Sequence, residues 1–159
     1  MKYFLHCLLL ITTVLLLSNC SSEPETGAGK MHWDREICAR CAMAVSDRQF
    51  AVQVRGAVAE KPTKLYKFDD IGCAILWLEQ QEWENDPRTE MWIIDHLTNK
   101  WIDAMKAHYV PADNTPMDYG LAAQLNPTDN SINYQQAIKH IKEVDKGEHR
   151  HSKHKGMMK

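Results

Sequence analysis

The chain has 159 residues, with 19 Lys and Arg against 21 Asp and Glu, so its formal net charge is −2. This length provides for one modest core and excludes two large independent domains. The slightly acidic balance counts against nucleic-acid binding.

The first 19 residues have the features of a bacterial targeting segment. Lys2 supplies a positive charge, and the apolar run at 4–17 is shorter than a membrane-spanning helix. The following Leu17-Ser18-Asn19-Cys20 resembles a lipobox, at which a cysteine is lipidated and becomes the mature N-terminus. We therefore expect a signal peptide at 1–19 and a lipid on Cys20, with an ordinary secreted protein as the alternative.

Residues 20–36 have the composition of a flexible tether, because they include Glu23-Pro24-Glu25 and Gly27-Ala28-Gly29. Serine after Cys20 resembles lipoproteins that are sent to the outer membrane of Gram-negative bacteria. We expect the domain to be anchored on the periplasmic side of the cell envelope, at the outer membrane. Unpaired thiols are at risk of oxidation there, so a C-x-x-C pair in this compartment needs a reason.

Residues 37–145 carry the patterns of an α+β domain. Alternating apolar and polar residues predict strands, and apolar residues at helical spacing predict helices. Asp69 or Asp70 is placed to cap the first helix. The strands are expected at 49–55, 64–68, 91–95, 100–103, 107–110 and 121–125, and the helices at 71–83 and 131–144. This order predicts one compact α+β domain of two related ββαβ-like halves.

The chain ends in a tail rich in His, Lys and Met at 146–159. Such a composition cannot build a core, which predicts disorder. Its imidazole and thioether groups are nevertheless potential ligands for transient capture of copper. The residues concerned are His149, His151, His154, Met157 and Met158.

A sulfur-rich stretch, Cys38-Ala39-Arg40-Cys41-Ala42-Met43, is the candidate functional centre. Two thiols and a thioether are soft ligands, which select Cu(I) over harder divalent ions. If Cys41-Ala42-Met43 is extended, side chains two residues apart point to the same side, so that Cys41 and Met43 can bind one ion together. Cys38 would then point away unless the chain turns before Cys41.

The same C-x-x-C spacing also fits a thiol–disulfide site or half of a zinc site. A thioredoxin-like site should follow a buried strand, and no run of β-branched residues precedes Cys38. A four-ligand zinc site would need a second ligand pair, and only Cys73 is left in the domain. A disulfide between Cys38 and Cys41, or between one of them and Cys73, is a structural alternative. Cys73 itself is expected to be a small buried core residue.

Five segments occur in a characteristic order: Cys41-Ala42-Met43, Phe50-Ala51-Val52-Gln53, Phe68-Asp69-Asp70-Ile71-Gly72-Cys73, Trp101-Ile102-Asp103-Ala104 and Thr115-Pro116-Met117-Asp118-Tyr119-Gly120. Together they resemble the NosL family, membrane-anchored copper chaperones of nitrous oxide reductase maturation. The resemblance covers about residues 38–145. Where this chain has Ala42, the family usually has glycine, and it tends to have glycine at the position of Asp118.

The resemblance implies a non-enzymatic protein built of two ββαβ-like halves. It implies delivery of Cu(I) to the copper-sulfide centre of nitrous oxide reductase, with a membrane ABC-type assembly as partner. Cys41 and Met43 are the implied Cu(I) ligands, and the third donor is left open among Cys38, Met117, His96 and His108. The two departures at glycine positions leave open service to another copper enzyme.

Two hypotheses of other classes compete with this one. The first is a periplasmic thiol–disulfide protein in which Cys38 and Cys41 cycle between reduced and oxidised forms. The second is a structural lipoprotein domain with an inert disulfide. The ligand pattern decides among them, because only the chaperone needs a thioether beside the thiols.

Overall fold

The computed structural model describes residues 24–156, and the side chains up to Gly147. The predicted signal peptide and the predicted lipidation site at Cys20 lie outside the described residues. Among the residues that are described, no helix combines the length and the apolar character that crossing a membrane requires.

The described chain is a compact mixed structure of antiparallel sheets and two helices, as the α+β prediction required. Its elements are β1 (Val52–Gly56), β2 (Lys64–Phe68), α1 (Ile71–Leu78), β3 (Glu90–Ile94), β4 (Trp101–Asp103), β5 (His108–Pro111), β6 (Leu121–Gln124) and α2 (Tyr134–Gly156). Four strands form one antiparallel sheet in the order β2-β1-β3-β4, and β5 pairs with β6 in a second, two-stranded sheet.

β1 is one of the two interior strands of the four-stranded sheet, and all five of its residues are buried. Val52 lies opposite Phe68 of β2 on one side and Ile93 of β3 on the other. The alternation of apolar and polar residues predicts a strand with one solvated face, but here the polar side chains of Gln53 and Arg55 are also covered. Burying polar groups costs free energy unless they are hydrogen-bonded, so both side chains need partners.

Those partners come from the predicted tether. The amide of Gln53 exchanges hydrogen bonds with the backbone of Gly29, accepting at 2.7 Å and donating at 3.1 Å. Arg55 donates to the carbonyl oxygen of Gly27 through Nε and Nη2. Glycine suits this role because a chain without side chains can approach a sheet closely. The packed structure therefore begins before residue 37, the boundary predicted from the sequence.

α1 begins where the sequence predicts. Asp70 is its N-cap, and its Oδ1 accepts a hydrogen bond from the backbone of Gly72 at 2.9 Å. The helix ends at Leu78 rather than near residue 83, because Gln80 and Gln81 donate to carbonyls three residues back and the chain continues in turns. Trp83 follows these turns and packs in an aromatic group with Tyr66 and Trp77.

The second half differs from the prediction of two matching halves. β4 belongs to the first sheet, and β5, β6 and α2 give strand, strand, helix with no further strand among the described residues. α2 packs on the core through Ala137 and Ile141 and is helical as far as Gly156. The helix predicted to end at residue 144 therefore continues through 145–156, where no proline interrupts it and Lys, Glu and His are compatible with a helix.

Candidate metal centre

The C-x-x-C pair lies in a tight turn. The Cys38 amide donates to the carbonyl oxygen of Met43 at 2.8 Å, and the Ala42 amide donates to the carbonyl oxygen of Cys38 at 3.0 Å. Ala42 has a φ of +62°, in the left-handed region. The extended conformation considered for Cys41-Ala42-Met43 is therefore not observed. The turn instead brings Cys38 and Cys41 together, although they are three residues apart.

One backbone hydrogen bond places this turn next to the junction between β2 and α1. The amide of Ala39 donates to the carbonyl oxygen of Lys67 at 2.9 Å, just before β2 ends at Phe68. The chain then passes through Asp69 and enters α1, whose first turn carries Cys73. Residues far apart in sequence thus meet at one end of β2.

Four side chains converge there: Cys38, Cys41, Asp69 and Cys73. One ligand atom from each lies within 4.8 Å of the others. Cys38, Asp69 and Cys73 are buried, whereas Cys41 is partly exposed. The three cysteines of this group are free thiols, so none of the disulfides considered from the sequence is formed. The group can hold a metal ion, and one of its ligands faces the outside.

Hydrogen bonds join the four side chains in pairs. Cys41 donates its thiol proton to Oδ2 of Asp69 at 3.1 Å. Hydrogen bonding from the Cys73 thiol lowers the pKa of Cys38 to about 6, although burial opposes the shift, and backbone N–H groups of Cys41, Asp69 and Arg40 add to it. Burial raises the pKa of Cys41 to about 12. The hydrogen bond that the Cys73 thiol donates to Cys38, together with burial, raises the pKa of Cys73. Cys38 is therefore the thiol of the group that loses its proton most readily.

The donors fit a thiophilic metal ion. Oδ1 of Asp69 is the one buried side-chain oxygen or nitrogen, among the residues described, that has no hydrogen-bond partner. Such an atom costs free energy unless something binds it, and a cation at this position would. Sulfurs that share one ion at about 2.3 Å lie roughly 3.8 Å apart, so a spread of up to 4.8 Å needs a contraction of about 1 Å at most.

The other ligands predicted from the sequence are two methionines and two histidines, and neither histidine belongs to this group of four. Met43 closes the turn through its carbonyl oxygen, and its side chain is 49% exposed. Met117 is partly buried against the core, and its amide donates to Oδ2 of Asp70. His96 contacts Gln124 instead, and His108 lies on β5. Of the predicted cysteine and histidine ligands, the structure brings together Cys38 and Cys41.

Cys73 and Asp69 belong to the site, although other roles were predicted for them from the sequence. The prediction that Cys73 is a buried core residue is confirmed, but its sulfur also hydrogen-bonds Cys38. Asp70, not Asp69, caps α1. The signal that both residues belong to one site was their four-residue spacing inside Phe68-Asp69-Asp70-Ile71-Gly72-Cys73, one of the five segments of the family resemblance.

The fold and the site together define a small α+β protein with a three-thiol, one-carboxylate group that can hold a metal ion. Comparison of the sequence with protein-family models, with curated proteins and with solved structures gives no match.

Proposed function

We propose that this protein is a lipid-anchored Cu(I) chaperone of the NosL type, which holds the ion on the thiolates of Cys38, Cys41 and Cys73. The observation that carries the proposal is the convergence of three free thiols, two of them buried and one partly exposed. Three thiolates around one ion form a soft site, which favours Cu(I). Before loading, Asp69 accepts a hydrogen bond from the Cys41 thiol; after loading, Asp69 lies beside the ion.

Partial exposure of Cys41 suits a protein that transfers its metal ion to a partner. Cys38 and Cys73 lie in the interior and retain the ion, whereas Cys41 is reachable from outside. Ile37, 55% exposed, and Met43, 49% exposed, are sequence neighbours of this thiol on the same turn. In this scheme the Met43 thioether is an entry and exit ligand, and a partner's ligand replaces Cys41 first. Closed coordination by buried donors alone would slow this exchange.

Two backbone observations support the family resemblance. Ala42 and Asp118 stand at the positions where the NosL family has or tends to have glycine. Both adopt left-handed backbone conformations, with φ values of +62° and +55°. Glycine is the residue that reaches this region without steric cost, so the family pattern and the backbone agree at both positions. We also propose that the domain consists of two related halves. The first is a ββαβ unit made of β1, β2, α1 and β3, and the second is a diverged unit made of β5, β6 and α2.

The resemblance also supplies the proposed destination of the copper. It is the copper-sulfide centre of nitrous oxide reductase, reached with the help of a membrane ABC-type assembly. The protein would act from a lipid anchor at Cys20 on the periplasmic side of the envelope, at the outer membrane. It would be a carrier and not an enzyme, since copper enters and leaves it chemically unchanged.

The thiol–disulfide alternative fits the geometry less well. A nucleophilic cysteine must be reached by its substrate, but Cys38 is buried, and Cys41, the accessible one, has its proton held by Asp69. A zinc site is favoured by one specific observation, the partnerless oxygen of Asp69, because Zn²⁺ takes four ligands and accepts carboxylates. Zinc is therefore the second candidate cargo.

The test is a competition titration of the reduced mature protein with Cu(I) and a chromophoric Cu(I) chelator under anaerobic conditions. We expect one Cu(I) per chain, with affinity strongly reduced in Cys38→Ala, Cys41→Ala and Cys73→Ala. Met43→Leu should mainly change the rate of copper transfer to the chelator. Met105→Leu is its matched control, because Met105 is also exposed, at 39%, and lies outside the site.

Parallel titrations with Zn²⁺ decide between the two cargoes. Copper delivery is supported if the three thiols are needed for Cu(I) and the Asp69→Asn variant keeps its Cu(I) affinity. A site that binds Zn²⁺ in preference to Cu(I), and loses it in Asp69→Asn, would assign the protein to zinc instead. Cu(I) binding that survives removal of Cys41 and Cys73 would exclude the proposed ligand set.

A further inference from the structure

Arg40, which lies between the two cysteines of the turn, joins three parts of the fold. Its Nη1 donates to the Tyr119 hydroxyl at 3.0 Å, and its Nη2 donates to Oδ1 of Asp145 at 3.0 Å. The Tyr119 hydroxyl in turn donates to the same Asp145 oxygen at 3.1 Å. The guanidinium, the Tyr119 hydroxyl and the Asp145 carboxylate are thus hydrogen-bonded to one another. This arrangement fixes the guanidinium in one place.

The groups that hold Arg40 are themselves well fixed. Tyr119 is fully buried, and its ring packs directly on Gly72, the residue before Cys73. Its backbone carbonyl oxygen is bonded to the ring of His140 on α2 at 2.9 Å. Asp145 also lies on α2 and is mostly covered. The guanidinium is thus held at the metal centre by a loop and a helix that supply no metal ligand.

The guanidinium also interacts electrostatically with the site. Burial lowers the pKa of Arg40, but Tyr119, Cys73 and Asp145 raise it on balance. Three thiolates and one carboxylate carry four negative charges, of which Cu(I) offsets only one. Asp145 balances part of the arginine's charge, yet Arg40 stands in the chain between Cys38 and Cys41, so its position and that of the two thiols are linked.

We propose that Arg40 is a positioning residue of the metal centre, which fixes the turn of Cys38 and Cys41 against Tyr119 and Asp145 and retains the ion by offsetting the negative charge of the thiolates. This inference rests on the proposed function. Residues that bond a metal ligand from outside the coordination sphere set its orientation and its affinity for the metal, although they never touch the ion. Tyr119 and Asp145 act one step further out, by holding the guanidinium.

The experiment compares Arg40→Gln and Arg40→Lys with wild type in Cu(I) affinity, in the rate of copper transfer to a chelator, and in the thiolate-to-metal absorption band. We expect Arg40→Gln to bind about tenfold more weakly or worse and to release copper faster, with the stoichiometry unchanged. Arg40→Lys should lose less, since it keeps the charge but not the planar fork. Tyr119→Phe should lower the affinity by a smaller factor.

Arg88→Gln is the matched control, because Arg88 forms a similar ion pair with Asp86, at 2.8 Å, and is not among the residues of the site. Thermal unfolding of every variant separates loss of fold from loss of affinity. An affinity for Arg40→Gln within about twofold of wild type would overturn the proposal, as would an equal loss in Arg88→Gln. If Arg40→Gln does not fold, unchanged transfer rates in both Arg40→Lys and Tyr119→Phe would overturn it.

Cd²⁺, which thiolates also bind, separates failure of this inference from failure of the proposed function. If wild type binds Cd²⁺ but not Cu(I), copper delivery is refuted, and the same variants test Arg40 by their Cd²⁺ affinity. If wild type binds neither ion, both proposals are overturned.

Discussion

Gly72→Ala is expected to destabilise the protein, although the same change is normally favourable in a helix. Alanine in a helix interior is preferred over glycine by about 1 kcal/mol. At position 72, however, a Cβ would overlap three carbon atoms of the Tyr119 ring. Tyr119 cannot easily retreat, because it is buried and its hydroxyl bonds both Arg40 and Asp145.

Overpacking of a buried site costs roughly 1 to 3 kcal/mol, and the displaced hydroxyl bonds add to that cost. The gain from alanine's helix preference is smaller in the first turn than in a helix interior. The free energy of unfolding of Gly72→Ala should therefore fall by about 1 to 3 kcal/mol. For a chain of this size each kcal/mol lowers the melting temperature by roughly 2 to 4 °C. The tyrosine ring would also be pushed away from its place beside Arg40, so metal affinity should fall as well.

Gly147→Ala is the matched control, because Gly147 is also helical and a Cβ there would meet nothing within 4 Å. It should stabilise the protein by roughly 0.5 to 1 kcal/mol. Urea unfolding of both variants and wild type measures the two changes. If Gly72→Ala is as stable as Gly147→Ala, then the packing of Tyr119 against α1 is not as described, and the argument for a fixed Arg40 loses its support.

Three further outcomes are expected. Ala42→Gly should stabilise the turn by about 0.5 to 1 kcal/mol, because alanine is strained at φ +62°, and a lower melting temperature would contradict this conformation. Asp70→Ala should cost about 1 kcal/mol through loss of the cap of α1, and an unchanged urea midpoint would show that the cap contributes nothing. Cu(I) loading near neutral pH should release two protons, those of Cys41 and Cys73, with a third appearing as the pH falls below about 6, where Cys38 is protonated. Affinity should therefore increase with pH, and proton release measured in weakly buffered solution checks the count; no release would mean that these thiols do not bind.

The elements that depend on local pattern were predictable from the sequence. The strands, both helices and the Asp70 cap follow from alternation, helical spacing and capping preference. The burial of β1 on both faces was not predictable, because it depends on Gly27 and Gly29 returning from the predicted tether to cover Gln53 and Arg55. The early end of α1 was missed because the residues at 79–82, Glu-Gln-Gln-Glu, are compatible with a helix, whereas Trp83 belongs to an aromatic group beyond its end.

The site was predictable in part. Soft ligands at C-x-x-C spacing indicated a centre at Cys38 and Cys41, and the structure brings these two sulfurs together. The prediction that Cys41-Ala42-Met43 is extended was wrong, because Ala42 has a positive φ. The sequence does not indicate such a conformation for a residue other than glycine. Cys73 and Asp69 join the centre only through the pairing of Ala39 with Lys67, a long-range contact without a local pattern.

X-ray absorption at the copper edge of the Cu(I)-loaded protein tests the central claim most directly, because it counts the sulfur atoms around the ion. Ligation by Cys38, Cys41 and Cys73 predicts three sulfurs at about 2.3 Å, the distance typical of metal–thiolate bonds, and one fewer in Cys73→Ala. A spectrum that is the same in Cys73→Ala as in wild type, and that changes in Met43→Leu, would contradict the three-thiol centre.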